Sequence, residues 1–247
     1  MSDAVHGGSD PDAAGIARNL AIVRARIARA TEAAGRDPAT VRLIAVSKTK
    51  QAALVQAALA AGQRLFGENY AQELKEKCDE LGAAPANPGA PEWHFIGALQ
   101  SNKAKLVVGR AAVIQTCDRS SLARELGKQA AKLALATPGF VQRVLLEVNV
   151  GREPQKGGCL PEALPALLRE VAALPGLRCE GLMAIPPAEG EPRAWFRALR
   201  TLREEAQQAG AGPLPELSMG MSADFELAIA EGATLLRVGT AIFGARD

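Results

Sequence analysis

Apolar residues at Ile16, Leu20, Val23 and Ile27 recur at steps of four, three and four, which places them on one face of a helix. Asp10-Pro11 offers a start signal and Gly35 a stop, so a first helix is predicted over residues 16–34. Beyond it the period changes. Eight short runs are predicted as strands, at residues 41–47, 64–66, 92–96, 111–116, 141–148, 177–185, 216–219 and 234–238. They alternate with amphipathic helical stretches at residues 51–61, 70–81, 120–135, 161–174, 193–209 and 223–231, with a shorter one at 102–108. Eight strand and helix units in 247 residues predict an α/β fold, a single (β/α)8 TIM-type barrel; a doubly wound open sheet is the alternative. The chain stops soon after the eighth strand, before a closing helix, so the extra N-terminal helix is expected to cover that gap.

No Pro/Gly-rich linker divides the chain, and residues 83–91 and 186–192 read as surface loops. The expected organisation is a flexible tail over residues 1–12 and one domain over residues 13–247. With 29 basic and 27 acidic residues and a net charge of +2, there is no single-sign field. Nucleic acid and acidic membrane are therefore poor partners, and a small ligand is expected. The apolar runs fall short of a membrane span, and the polar first residues lack a signal-peptide core, so a cytoplasmic protein is expected. Cys78, Cys117, Cys159 and Cys179 show no paired spacing, which argues against a metal site or disulfide framework. His6 lies in the tail, leaving His94 as the histidine available to an ordered site.

Lys48 ends the apolar run Val41-Arg42-Leu43-Ile44-Ala45-Val46-Ser47-Lys48. Counting by twos puts it on one face with Ile44 and Val46, opposite Leu43, Ala45 and Ser47. Burial lowers a lysine's pKa, and the neutral amine can attack an aldehyde and hold it as a Schiff base. The simpler reading is a lysine that caps a strand and snorkels to water. Lys50 and Lys103 compete for the role, but both are expected in solvent at helix starts, where they stay protonated. In a barrel of this type the ligand gathers at the C-terminal ends of the strands, often with a phosphate after strands seven and eight. Ser218-Met219-Gly220-Met221-Ser222 and Gly239-Thr240 supply small residues and hydroxyls there. Ser222 also reads as the cap of the following helix. Arg237 shares the interior phase of strand eight with Leu235 and Gly239, where it would pair with a carboxylate or donate to a ring nitrogen of a cofactor.

The runs Ala45-Val46-Ser47-Lys48-Thr49, Phe66-Gly67-Glu68-Asn69-Tyr70, Trp93-His94-Phe95-Ile96-Gly97, Leu99-Gln100-Ser101-Asn102-Lys103, Gly181-Leu182-Met183-Ala184-Ile185-Pro186, Ser218-Met219-Gly220-Met221-Ser222 and Arg237-Val238-Gly239-Thr240-Ala241-Ile242-Phe243-Gly244 together resemble the pyridoxal phosphate homeostasis protein family. The resemblance runs from about Val41 to the C-terminus. It implies a single barrel similar to the N-terminal domain of alanine racemase, with pyridoxal 5'-phosphate (PLP) as cofactor. By that resemblance Lys48 would carry PLP as a Schiff base, Arg237 would face its pyridine nitrogen, and Ser222, Gly239 and Thr240 would hold the phosphate. Asn69 and His94 are similar to positions lining the cofactor cavity, although either could instead satisfy backbone groups. Met183, Ser218, Met219 and Gly220 belong to matching motifs that would border the cofactor; methionines in such runs also serve as packing. Glu153, Lys156 and Gly158 match a family loop pattern to which no function attaches.

A racemase of this barrel type requires a second acid/base opposite the lysine, usually a tyrosine from a further domain of a partner subunit. The one tyrosine, Tyr70, reads as a helix start, and no β-rich domain follows Asp247. The resemblance therefore implies a carrier or regulator rather than an enzyme, one that sequesters PLP, affects vitamin B6 balance and passes cofactor to PLP-dependent apoenzymes. A weak amino-acid racemase using His94 or water as second base is one alternative. A lysine Schiff-base aldolase acting on a phosphosugar is another, against which Arg237 argues because no ring nitrogen would be present. A monomer is expected, with a dimer left open.

Overall fold

The computed structural model describes residues 11–84 and 87–244. Eight parallel strands, β1 (Arg42–Val46), β2 (Leu65–Glu68), β3 (Glu92–Phe95), β4 (Val113–Cys117), β5 (Gln142–Glu147), β6 (Leu177–Met183), β7 (Glu216–Ser218) and β8 (Leu235–Val238), close into a barrel in sequence order. The predicted (β/α)8 fold is thus the observed one, and the open-sheet alternative falls because β8 pairs back onto β1. Strand alternation sorts the side chains. Ile44, Val113, Leu145, Met183 and Leu235 form an inner cluster, while Ala45, Ile114, Leu146, Leu182 and Leu236 turn outward beneath the helices.

Nine α-helices lie among the described residues: α1 (Ala13–Ala33), α2 (Ala52–Ala60), α3 (Ala71–Leu81), α4 (Ala104–Val107), α5 (Ser120–Ala136), α6 (Leu164–Ala173), α7 (Pro192–Gln208), α8 (Phe225–Ala230) and α9 (Thr240–Phe243). The stripe of Ile16, Leu20, Val23 and Ile27 is buried, which contributes roughly 1.5–3 kcal/mol for each side chain. It seats α1 between α2 and α8, in the gap left where a closing helix would stand. Asn19 donates to Ile242 O at 2.9 Å, Arg24 to Ala61 O at 3.0 Å, and Arg26 pairs with Glu226 while stacking on Phe225. The predicted start at Asp10 lies outside the described residues. Asp12 caps α1 by accepting from Gly15 N at 2.7 Å.

Several boundaries differ from the sequence reading for identifiable reasons. β2 continues through Gly67 and Glu68 because both pair with β3, although neither residue favours strands by itself. Irregular register in β4 and at Val144/Leu145 against β6 inserts bulges that no alternation pattern announces. Residues 101–107 and 161–173 each begin as a short 3₁₀ turn before becoming helical.

Candidate functional site

Lys48 follows β1 at its C-terminal end, and the neighbouring strands fix what surrounds it. Val46 pairs with Gly67 of β2, and Ile44 pairs with Arg237 of β8. Carried two steps on from Ile44, the β1–β8 register puts Val46 beside Gly239, so Lys48 lies two residues beyond that contact, while the β1–β2 register carried two steps on from Val46 leads to Asn69. The lysine is half-buried rather than enclosed. Lys50 departs from expectation: it is only 9% exposed, because Lys50 N donates to Ser47 O and folds the chain back toward the core. Lys103 is exposed as expected and lines a separate cleft of about 480 Å³ with Tyr70, Phe95 and Arg119, which Asn69 borders. The turn after Lys48 is strained. Thr49 has φ of 63°, a conformation that costs a β-branched residue roughly 1–3 kcal/mol and concentrates at functional sites.

Arg237 is 4% exposed in the barrel interior. Its Nη1 donates to Ser218 Oγ at 2.6 Å and its Nη2 to Ala184 O at 2.9 Å. A hydroxyl and a carbonyl, not the carboxylate that would usually accompany a buried arginine, accept these bonds. Burial lowers its pKa to about 10, against the opposing influence of Glu147. Ser218 passes the chain on, donating to Gln115 Oε1 at 2.6 Å. Gln115 Nε2 then lies 2.8 Å from His94 Nδ1. Arginine can only donate, so Ser218 donates onward, the Gln115 amide orientation follows, and His94 Nδ1 is left to accept. The proton of the neutral imidazole is then on Nε2, which sits 3.5 Å from Glu92 Oε1 and makes no hydrogen bond. Burial lowers the His94 pKa and keeps the ring neutral.

His94 lies within β3, 1% exposed, with its accepting nitrogen engaged by Gln115, so the chain of hydrogen bonds links it to Arg237 through Gln115 and Ser218. One step past the inward Ser218, Met219 belongs to the outer cluster under the helices, whereas Met183 is in the inner one. Ser222 does not cap α8. Asp224 takes that position, and its carboxylate accepts from Met221 N at 2.6 Å, which leaves the Ser222 hydroxyl half-buried in the preceding turn. Gly220 accepts from Arg237 N at 3.0 Å, tying the end of β7 to β8. At Gly239 an added Cβ would lie 3.2 Å from Val46 O, so a side chain there would crowd the end of β1. Thr240 is exposed at the start of α9.

Gln115 and Glu147 went unnoticed in the sequence. Their signal was weak, a single polar residue within an apolar strand. Glu147 ends β5 on the inner face, two residues after the inner-cluster Leu145, and is 7% exposed. Its pKa is raised to about 7 by burial and by Asp118, with Arg237 opposing. The native carboxyl holds its proton more tightly than the unfolded one does. Stability is therefore full below the ordinary carboxylate range and falls as pH rises from there through about 7. At about 1.4 kcal/mol per pH unit, the loss is on the order of 3 kcal/mol. Glu147→Gln is expected to raise the urea midpoint at pH 8 while leaving pH 5 nearly unchanged; equal effects at both pH values would show that ionisation is not the cause. Beyond Glu147 the loop folds back, with Lys156 bonded to Glu153 at 2.7 Å and to Pro186 O at 2.8 Å, joining the ends of β5 and β6.

The donor set matches a phosphorylated pyridine aldehyde. It offers a primary amine at the barrel mouth, a buried guanidinium, hydroxyls at Ser222 and Thr240, and an Asn69 Oδ1 that is buried without a hydrogen-bond partner.

The closed parallel barrel, with a lysine after β1 and an arginine inside β8, is of the alanine racemase N-terminal type. The family model described as "Alanine racemase, N-terminal domain" matches residues 18–247. The chain belongs to the pyridoxal phosphate homeostasis protein family within that class. It is 51% identical to the pyridoxal phosphate homeostasis protein of Pseudomonas aeruginosa, over 94% of this chain and 96% of the relative. PipY of Synechococcus elongatus, solved with PLP bound, superposes with a TM-score of 0.78 at 39% identity, covering 93% of this chain and all of that one. Alanine racemase from Corynebacterium glutamicum shares the fold, with a TM-score of 0.67 at 17% identity, over 92% of this chain and 60% of its own.

Proposed function

We propose that this chain binds PLP covalently through Lys48 and serves intracellular PLP homeostasis as a carrier that passes cofactor to apoenzymes. The observation that supports the reading is the register that brings Val46 beside Gly67 and Gly239, so that Lys48 follows at the mouth of the barrel whose interior holds the buried Arg237. PLP supplies a reactive aldehyde and an electron-accepting ring when bound. The chain's own residues would restrain both properties. Lys48 would engage the aldehyde. Arg237, protonated and held by Ser218 and Ala184, would present a donor to the ring nitrogen and so keep that nitrogen unprotonated. Asn69 offers an acceptor beside the lysine, and Ser222, Gly239 and Thr240 would take the phosphate. Because Gln115 occupies His94 Nδ1, His94 has no free lone pair to serve as a second base, which supports a carrier over a racemase.

No helix among the described residues is long and apolar enough to cross a membrane, which is compatible with a cytoplasmic carrier. The test is titration of the purified protein with PLP, followed by visible absorption, with α-proton exchange of alanine in deuterated buffer as a second arm. A saturable absorption change without exchange is expected. A protein that takes up no PLP, or one that exchanges the α-proton catalytically, would overturn the carrier reading.

A further inference from the structure

The backbone on both sides of Lys48 is held from outside the barrel wall. Ser47 alternates outward, where its Oγ donates to Glu68 Oε1 at 2.6 Å and its carbonyl accepts from Lys77 Nζ at 2.7 Å. On the other side, Thr49 N donates to Glu73 Oε1 at 2.7 Å. Lys77 completes the cluster, donating to Glu68 Oε1 at 2.8 Å and to Glu73 Oε1 at 3.3 Å, so three acceptors match the three N–H groups of its ammonium. Glu73 and Lys77 lie four residues apart on α3 and present one face to the end of β1. The inner part of the cluster is deeply buried, with Glu68 and Ser47 fully covered and Lys77 5% exposed, while Glu73 is partly exposed at its edge. Burial raises the Glu68 pKa, and Lys77 pulls it back down.

A buried ion cluster is poor value as a source of stability, because desolvation of the charges offsets most of their attraction. Here it is attached to the residues flanking the reactive lysine, and it holds Thr49 in a left-handed conformation that a β-branched residue would otherwise leave. We propose that Glu68, Glu73 and Lys77 form a clamp that positions Lys48 for covalent engagement of PLP, an inference that rests on the cofactor reading above. The three act through the backbone and are positioning residues. Ser47 and Thr49 are fixed, so the intervening side chain has one direction in which to leave the chain, inward over Arg237.

The experiment compares wild type with Glu73→Ala, Glu73→Gln and the Glu68→Gln/Lys77→Met pair, which removes the buried charges with little change in volume. In cofactor-free protein, amide hydrogen exchange at Thr49 reports the clamp directly. After limiting PLP and borohydride reduction, mass spectrometry reports capture at Lys48, and thermal melting reports the fold. Glu73→Ala is expected to keep a cooperative melt, exchange faster at Thr49 and capture about tenfold less cofactor at Lys48. Glu73→Gln, whose amide oxygen can still accept from Thr49, is expected to recover most of that loss. Capture by Glu73→Ala and by the double variant equal to a competent wild type would overturn the clamp alone. Wild-type protein that captures nothing would overturn the cofactor reading, and the clamp with it.

Discussion

Lys48→Ala is expected to abolish covalent retention of PLP, with the protein losing its cofactor on gel filtration while keeping its fold. On the proposed reading, loss of the covalent bond would leave Arg237 and the Ser222, Gly239 and Thr240 groups to bind PLP by contact alone, a weakening expected to be at least roughly hundredfold, or about 2.7 kcal/mol. The fold should survive because Lys48 is half-buried at the mouth and is not part of either apolar cluster. Lys48→Arg is the sharper companion. It keeps the positive charge and the length but carries no amine that can condense with an aldehyde, so it should fail as completely as alanine does. Borohydride reduction with peptide mapping decides the matter. A pyridoxyl group on Lys48 in wild type and none in either variant is the expected pattern. Undiminished capture on another lysine in Lys48→Ala would show that the register around β1 does not choose the nucleophile.

Gly97→Ala should damage the molecule more than any other single methyl addition near the site. A Cβ at Gly97 would stand 2.0 Å from Asn69 O and 2.6 Å from Asn69 C and Cα. Those are backbone atoms, so no rotamer change relieves the collision, and the segments after β2 and β3 must separate. Gly97 is also anchored from its far side, where its carbonyl accepts from Thr116 Oγ1 at 2.7 Å. Overpacking of this kind costs about 3 kcal/mol or more, which for a chain of this size lowers the melting temperature by roughly 6–12 °C. The displaced segment carries Asn69, so PLP uptake should fall together with stability. Melting curves and PLP titration of the same preparation check both, and a wild-type result in either would mean that the two loops are less tightly apposed than the structure has them.

How much of this was legible in advance depends on how far apart in the chain the interacting residues are. The period of four, three and four in α1 and the eight apolar runs are local patterns, and local patterns were enough for the barrel and for the place of Lys48 directly after β1. Arg237 was legible for the same reason, through its alternation with Leu236 and Val238. Where the local rule has a competitor, the reading failed. Lys50 was expected in solvent because it follows the strand, but the turn from Ser47 to Lys50 carries it back under cover. Ser222 looked like a helix cap until Asp224, two residues on, took the role.

The sequence by itself therefore determined the elements, their order and the phase of each strand, because side-chain periodicity is set by backbone geometry within a few residues. Only the tertiary structure decided which polar groups meet. Ser218 reaches Gln115 across 103 residues, Gln115 reaches His94 across 21, and Lys77 on α3 reaches Ser47 at the end of β1 across 30. Closure of the barrel brings those groups together, and once they are buried, the cost of an unmet donor or acceptor enforces pairings that no one-dimensional pattern contains.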